Sequence, residues 1–356
     1  MNTFTVGTIL NTIKSKLISP TLVCKQLTLQ YPSRLNAMAL DPSKIDVSGS
    51  GVYSPGEVIF SIALYKVVKI SLREDCEIVI SESSPRQQLI RHAALLMVDA
   101  LQLNQGFDIS VEVEDLRHCG LGSSSGLISA VAAAINEMYG KPISRLELIG
   151  YLAQNHGEEI DDSINHLQHV QCIGGSAVSG LVESGMTVLA GESTPIGTMT
   201  IDESYTVLIG IPNDFIAADS KELMRLEMLN MDKFIATGDQ YRDKIGYRVT
   251  HEMLPQMKRR NLREASRLIF DYRFDYGSID NCSFVYPKMK EVAKNIRFLF
   301  EDNVVDALAL SSVGPAFFAI TKQPEKCESV FQENNLYVRR TKINNTGYSI
   351  INKELI

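Results

Sequence analysis

The stretch that most limits what this chain can become is HCGLGSSSGLISAVAAAINEMYG, His118 to Gly140. The preceding FDISVEVEDLR alternates apolar and polar side chains, so the local order reads strand, Gly/Ser loop, helix, with the helix starting near Ser124 or Ser125. The first backbone N–H groups of a helix have no internal partner, and its dipole adds a partial positive charge. A phosphate placed there satisfies both. Gly120, Gly122 and Gly126 let the main chain approach such an anion, and Ser123, Ser124 and Ser125 offer hydroxyls to it or to a metal ion beside it.

At 356 residues the chain exceeds what one ordinary core serves, so two domains are expected. The first half opens with short alternating strands between Pro, Gly and Ser clusters, followed by a helix over Arg86 to Leu103. Past the Gly/Ser loop and its helix come a second helix near SRLELIGYLAQNHGEEIDD and strands near GMTVLAGES and YTVLIGIP. The turn-rich STPIGTMTIDES between Ser193 and Ser204 suggests a boundary, giving domains 1–203 and 204–356. Residues 216–300 read as consecutive helices, ALALSSVGPAFFAITKQ as strand, turn, strand, and LYVRRTKIN and GYSIIN as closing strands. Helices bracketed by strands describe an α+β sandwich.

A net charge of −7 argues against a nucleic-acid or acidic-membrane binder, while leaving room for a small anion held by a few N–H groups and cations. No apolar run reaches the roughly 18 residues of a membrane span. The N-terminus lacks a charged lead followed by a long apolar block, and a cytoplasmic chain is the simplest expectation. The six scattered cysteines form no CxxC pair and read as free thiols. Oligomeric state is left open.

Three segments fall in one order: YPSRLNAMALD (Tyr31 to Asp41), GLGSSSGLISAVAAAI (Gly120 to Ile135) and SSVGPAFFAI (Ser311 to Ile320). Together they resemble the signature blocks of the GHMP superfamily, named for galactokinase, homoserine kinase, mevalonate kinase and phosphomevalonate kinase. The resemblance implies an N-terminal half like ribosomal protein S5 domain 2, a ferredoxin-like C-terminal half, and a small-molecule kinase using ATP and Mg²⁺. It places the nucleotide phosphates on Gly120, Leu121, Gly122, Ser123, Ser124, Ser125 and Gly126, with Arg34, Ser124 and Ser125 in the catalytic machinery. The same resemblance assigns the small-molecule acceptor to Asn36, Ser312, Gly314 and Pro315.

PSRLNAMALD, CIGGSAVSGLVESGMTVLAGE and SSVGPAFFAIT also resemble the β-ribofuranosylaminobenzene 5'-phosphate synthase branch, in which the loop would hold a pyrophosphate donor instead. Several kinases of the superfamily carry an aspartate base after an SG pair. Here Ser179 and Gly180 are followed by Leu181, Val182 and Glu183, which leaves the base unassigned and raises a third reading, a nucleotide-binding regulator without catalysis.

No lysine follows the glycines as in a Walker loop, so phosphate charge must be met by N–H groups, Mg²⁺ and side chains from elsewhere. HGEEIDD, at or just past a helix end, supplies Glu158 and Glu159 as candidate Mg²⁺ ligands with Ser124. HLQHVQC sets His166, His169 and Cys172 near one helical face, a pattern more consistent with ordinary packing than with zinc. His118 and Cys119 precede the loop, KRRNLR is a short basic run on a helix, and Lys44, Lys66 and Lys69 lie where a cation could approach the phosphates.

Overall fold

Alternation in the first third of the chain becomes strands β1 (Thr3–Thr5), β2 (Cys24–Ala39), β3 (Glu57–Leu72) and β4 (Ile78–Ile80), followed by helix α1 (Gln87–Ala100) and β5 (Phe107–Val113). Then come α2 (Ser123–Met138), α3 (Arg145–Gln154), β6 (Gly157–Glu159), β7 (His166–His169), α4 (Gly175–Leu181), β8 (Met186–Leu189), β9 (Pro195–Met199) and β10 (Thr206–Pro212). A helical run, α5 (Ser220–Leu229), α6 (Met231–Arg248), α7 (Leu254–Lys258), α8 (Leu262–Phe274), α9 (Ser278–Asn281), α10 (Met289–Ile296) and α11 (Phe298–Glu301), leads to β11 (Ala307–Leu310) and β12 (Phe317–Thr321). Helix α12 (Pro324–Glu333), β13 (Leu336–Thr341) and β14 (Ser349–Leu355) close the chain. The computed structural model describes residues 3–13, 19–44, 55–113, 119–160, 165–170, 174–218 and 220–356.

The N-terminal sheet runs β14-β2-β3-β5-β4, with β8 and β9 extending from β3. Helices α1 to α4 cover it, and α2 lies at their centre with residues 126–138 buried on every side. That is why its sequence is apolar all round rather than striped. The C-terminal strands β10, β11, β12 and β13 form an antiparallel sheet in the order β11-β12-β10-β13, the βαββαβ arrangement of a ferredoxin-like half. The division is not a clean cut, because β14 returns from the C-terminal half to pair with β2.

The site is placed by the two long strands, β2 and β3, which serve two cores. Their register shifts between Pro32 and Ser33, and β2 changes company there. Leu27, Leu29 and Tyr31 pack beneath α2, whereas Leu35, Ala37 and Met38 join β8, β10, β12 and α8 in the core between the halves. A bulge of this kind re-aims side chains at a functional rim, and Arg34 and Asn36 sit just beyond it.

Several expectations are corrected. The helix expected near SRLELIGYLAQNHGEEIDD ends at Gln154, and HGEEIDD, expected at or just past its end, enters β6, which pairs with β7; β7 pairs in turn with β1. His166 and His169 therefore lie on a strand, where residues three apart point to opposite faces, so they share no ligand face. Cys172, Asp161, Asp162 and His118 lie outside the described residues, among which no group of three or more potential metal ligands occurs. Within the turn-rich STPIGTMTIDES, where a domain boundary is expected, lies β9, paired to β8. KRRNLR falls at the break between α7 and α8: Lys258, Arg259 and Arg260 are exposed, and Arg263 spends its donors on the carbonyls of Phe300 and Val305.

Candidate active site

An open cleft lies where the start of α2, the re-aimed part of β2, the β11–β12 turn and helix α5 meet. Helix α2 begins at Ser123, capped by Gly122 at φ +68°, a left-handed conformation that favours glycine. A β-carbon on Gly122 would lie 2.4 Å from Ser176 Oγ and 3.0 Å from Arg34 Nε. The first helical bond runs from Gly126 N–H to the Gly122 carbonyl, so the N–H groups of Ser123, Ser124 and Ser125 have no protein partner among the described residues. All three serines line the cleft.

The loop is fixed from behind by the other two blocks. The Gly120 carbonyl accepts from Arg34 Nη1 at 3.0 Å and from Ser311 Oγ at 2.7 Å. Ser311 Oγ also accepts from Asn36 N–H at 3.1 Å, and Ser312 N–H donates to the Asn36 carbonyl at 2.8 Å. Arg273 of α8 is 3% exposed and clamps this junction, donating to the carbonyls of Ala37, Asn36 and Ser312 and to Ser278 Oγ. Burial lowers its pKa from the ordinary arginine value. Neither Ser311 nor Arg273 stands out in the sequence.

Three cations lie near the start of α2, Arg34 lining the cleft and Lys66 and Arg86 the pocket beside it. Lys66, expected only as one of several lysines, is buried with Nζ 3.0 Å from Ser33 Oγ, and a β-carbon on Gly126 would lie 2.8 Å from that Nζ. Burial and the neighbouring Arg34 charge push its ammonium down to about 8. Arg86, just ahead of α1, carries no motif signal. Its guanidinium donates to Ser124 Oγ, to Glu158 Oε1 and, at 3.1 Å, to Glu159 Oε2. The hydroxyl and two carboxylates read as Mg²⁺ ligands thus do converge on one cation, which here is Arg86.

Of the residues expected to bind the acceptor, Ser312 and Gly314 line the cleft. Asn36 and Pro315 do not: Pro315 is buried, and Asn36 is turned inward, its Nδ2 donating to Glu57 Oε2. Glu57 is fully buried, and desolvation lifts its carboxyl to about 8 against the pull of Arg34, which favours the neutral acid behind the cleft wall. Ser179 Oγ is bound to the carbonyls of Pro32 and Ser176, and Glu183 pairs with Arg145 at the surface, so the SG pair supplies no base. His156 lines the cleft, held neutral by burial and surrounding positive groups that lower it to about 3. On α5, Leu223, Met224 and the half-buried Glu227 form the facing wall. Lys69 is spent on Glu112 at the surface.

Residues 88–174 match the GHMP kinases N terminal domain. The homoserine kinase of Methanococcus maripaludis is 26% identical over 170 residues, 45% of this chain and 53% of that protein; the chain spans about half the length of the curated relatives it matches. Among solved structures, a homoserine kinase from Cytophaga hutchinsonii superposes with a TM-score of 0.60 at 14% identity, covering 92% of this chain and 98% of that one. The mevalonate pyrophosphate decarboxylase of Streptococcus pyogenes superposes with a TM-score of 0.63 at 12% identity, covering 91% and 98%. Residues 88–174 thus carry a GHMP kinases N terminal domain, and the chain as a whole shares the two-domain α+β fold of these solved structures. No helix among the described residues is long and apolar enough to cross a membrane.

Proposed function

We propose that the protein is a small-molecule kinase that seats the phosphates of ATP on the amides of Ser123, Ser124 and Ser125 and passes the γ-phosphate to a hydroxyl or phosphate of a small metabolite. The observation that carries this reading is the set of unpaired amides opening into the cleft that Arg34 lines, with Lys66 and Arg86 in the pocket adjoining it at Leu121 and Ser123. A second, largely apolar pocket, walled by Leu64, Tyr65, Pro85 and Leu127, meets the cleft at Leu121 and Ser123, and suits a nucleobase beside its phosphates. Glu158, Glu159 and Ser124 carry the hard oxygen donors that Mg²⁺ takes, and would hold it in exchange for the Arg86 guanidinium. Bound there, the ion would supply neutralising charge to the phosphates. The protein's own part is alignment and electrostatic stabilisation by amides and cations, as phosphoryl transfer requires.

The test is a thermal-shift and ADP-release panel in which MgATP and phosphoribosyl pyrophosphate are each offered with hydroxyl-bearing and phosphorylated acceptors, homoserine, mevalonate and galactose among them. The kinase reading predicts stabilisation by MgATP and acceptor-dependent ADP release. It also predicts at least a tenfold loss of turnover in the Ser124→Ala/Ser125→Ala double variant, about 1.4 kcal/mol of transition-state stabilisation. Pyrophosphate and carbon dioxide released from phosphoribosyl pyrophosphate and 4-hydroxybenzoate would establish the synthase reaction instead. MgATP binding without turnover on any acceptor would establish the regulator.

A further inference from the structure

Transfer to an alcohol leaves one chemical task unassigned: the acceptor proton must go somewhere, and the SG segment holds no carboxylate for it. Across the cleft from the serine loop stands one side chain with no part in holding phosphate. Glu227 of α5 is half-buried, lines the same cleft as Ser123, Ser124, Arg34 and Ser312, and has no hydrogen-bond or ion-pair partner among the described residues. Other cleft carboxylates are spent, Glu158 on Arg86 and Glu57 on Asn36 behind the wall. A half-buried carboxylate with no protein partner, on the wall across the cleft from the serine loop, is placed to accept a proton from a group bound between them.

Building on the kinase reading, we propose that Glu227 takes the proton from the acceptor, and that the acceptor is therefore an alcohol rather than a phosphate monoester. In the step, the acceptor oxygen forms a bond to the γ-phosphorus while the bond from that phosphorus to the β–γ bridging oxygen breaks. The bridging oxygen leaves on ADP with its electron pair, and the hydroxyl proton passes to the Glu227 carboxylate. A phosphate monoester has no such proton to give, and its negative charge would face the carboxylate. Desolvation that raises the Glu227 carboxyl to about 7 matches a group accepting a proton near neutral pH.

The test compares wild type with Glu227→Gln and Glu227→Asp, using MgATP and a panel of alcohols and phosphate monoesters. The expected result is turnover on an alcohol, a 10²- to 10⁴-fold fall in kcat for the Gln variant with KM for MgATP within about threefold, and at least tenfold recovery from Gln to Asp. The Gln variant should keep or exceed the wild-type Tm, because it removes a desolvated charge; a merely structural carboxylate would lower Tm and leave kcat alone. Wild-type turnover retained by Glu227→Gln, or a phosphate monoester as the preferred acceptor, overturns this proposal while leaving the kinase reading intact. Wild type that neither binds MgATP nor releases ADP overturns both.

Discussion

Gly120→Ala is expected to weaken MgATP binding at least about 100-fold and to lower Tm by several degrees. The residue sits at φ +80°, and its β-carbon would lie 2.2 Å from the Ser311 carbonyl oxygen. That neighbour is backbone and cannot rotate away, so the loop must part from the β11–β12 turn. Parting breaks the bonds that Arg34 and Ser311 make to the Gly120 carbonyl, and these aim the start of α2 at the cleft. Left-handed strain of about 1 kcal/mol adds to lost hydrogen bonds of about 1 kcal/mol each, for a total of roughly 3 kcal/mol. In a chain of 356 residues, each kcal/mol corresponds to about 1–2 °C in Tm. Gly246→Ala is the control: the position lies within α6, no atom lies within 4 Å of its β-carbon, and alanine should stabilise it by roughly 0.5–1 kcal/mol. Isothermal titration and calorimetry of the two variants read both quantities. A Gly120→Ala protein that binds MgATP as wild type does would show that the loop is not held in the way described.

Glu57→Gln should flatten the dependence of stability on pH. The folded-state carboxyl is raised from 4.5 to about 8, so between those values the folded protein holds a proton that the unfolded chain has released. The stabilisation is complete below the unfolded value and is lost as pH climbs to about 8. His156 and His92 act in the opposite sense below their ordinary value near 6.5, because their folded-state values are lowered. The quantity to read is therefore the difference between variant and wild type. Urea unfolding at pH 5 and pH 8 should show the Gln variant gaining on wild type by on the order of 3 kcal/mol between the two. That figure takes about 1.36 kcal/mol for each pH unit over which only the folded protein keeps the proton, with allowance for relaxation of the site. Glutamine can mimic the neutral acid, so the bond from Asn36 need not be lost. Parallel stability curves for the two proteins would mean that Glu57 is ionised in the folded protein throughout this range.

The parts of this molecule legible in its sequence are those in which one local signal decides. Continuous apolar residues after a Gly/Ser entrance mark α2, and ALALSSVGPAFFAITKQ contains both β11 and β12 with their turn. What escaped depends on partners far along the chain. Strands β6 and β7 are three and four residues long, too short to establish alternation, and β7 pairs with β1 at the other end of the N-terminal half. HLQHVQC therefore reads as helical and HGEEIDD as a helix end, although tertiary pairing makes Gly157–Glu159 and His166–His169 strands. In the site, the Gly/Ser loop and Arg34 carried motif signals, whereas Arg86, Arg273 and Glu227 are ordinary charged residues of helices or their ends. Only the fold reveals that Arg86 fills the Ser124–Glu158–Glu159 corner, that Arg273 is buried among carbonyls, and that Glu227 faces the loop.

Catalysis as proposed depends on triphosphate held by the open amides that begin α2. Hydrogen exchange of the peptide spanning residues 119–127, with and without saturating MgATP, measures this directly. At least tenfold slower exchange of the Ser123, Ser124 and Ser125 amides in the presence of MgATP is the predicted result, because each gains an acceptor it lacks in the free protein. Unchanged exchange at those amides under saturating nucleotide would contradict it.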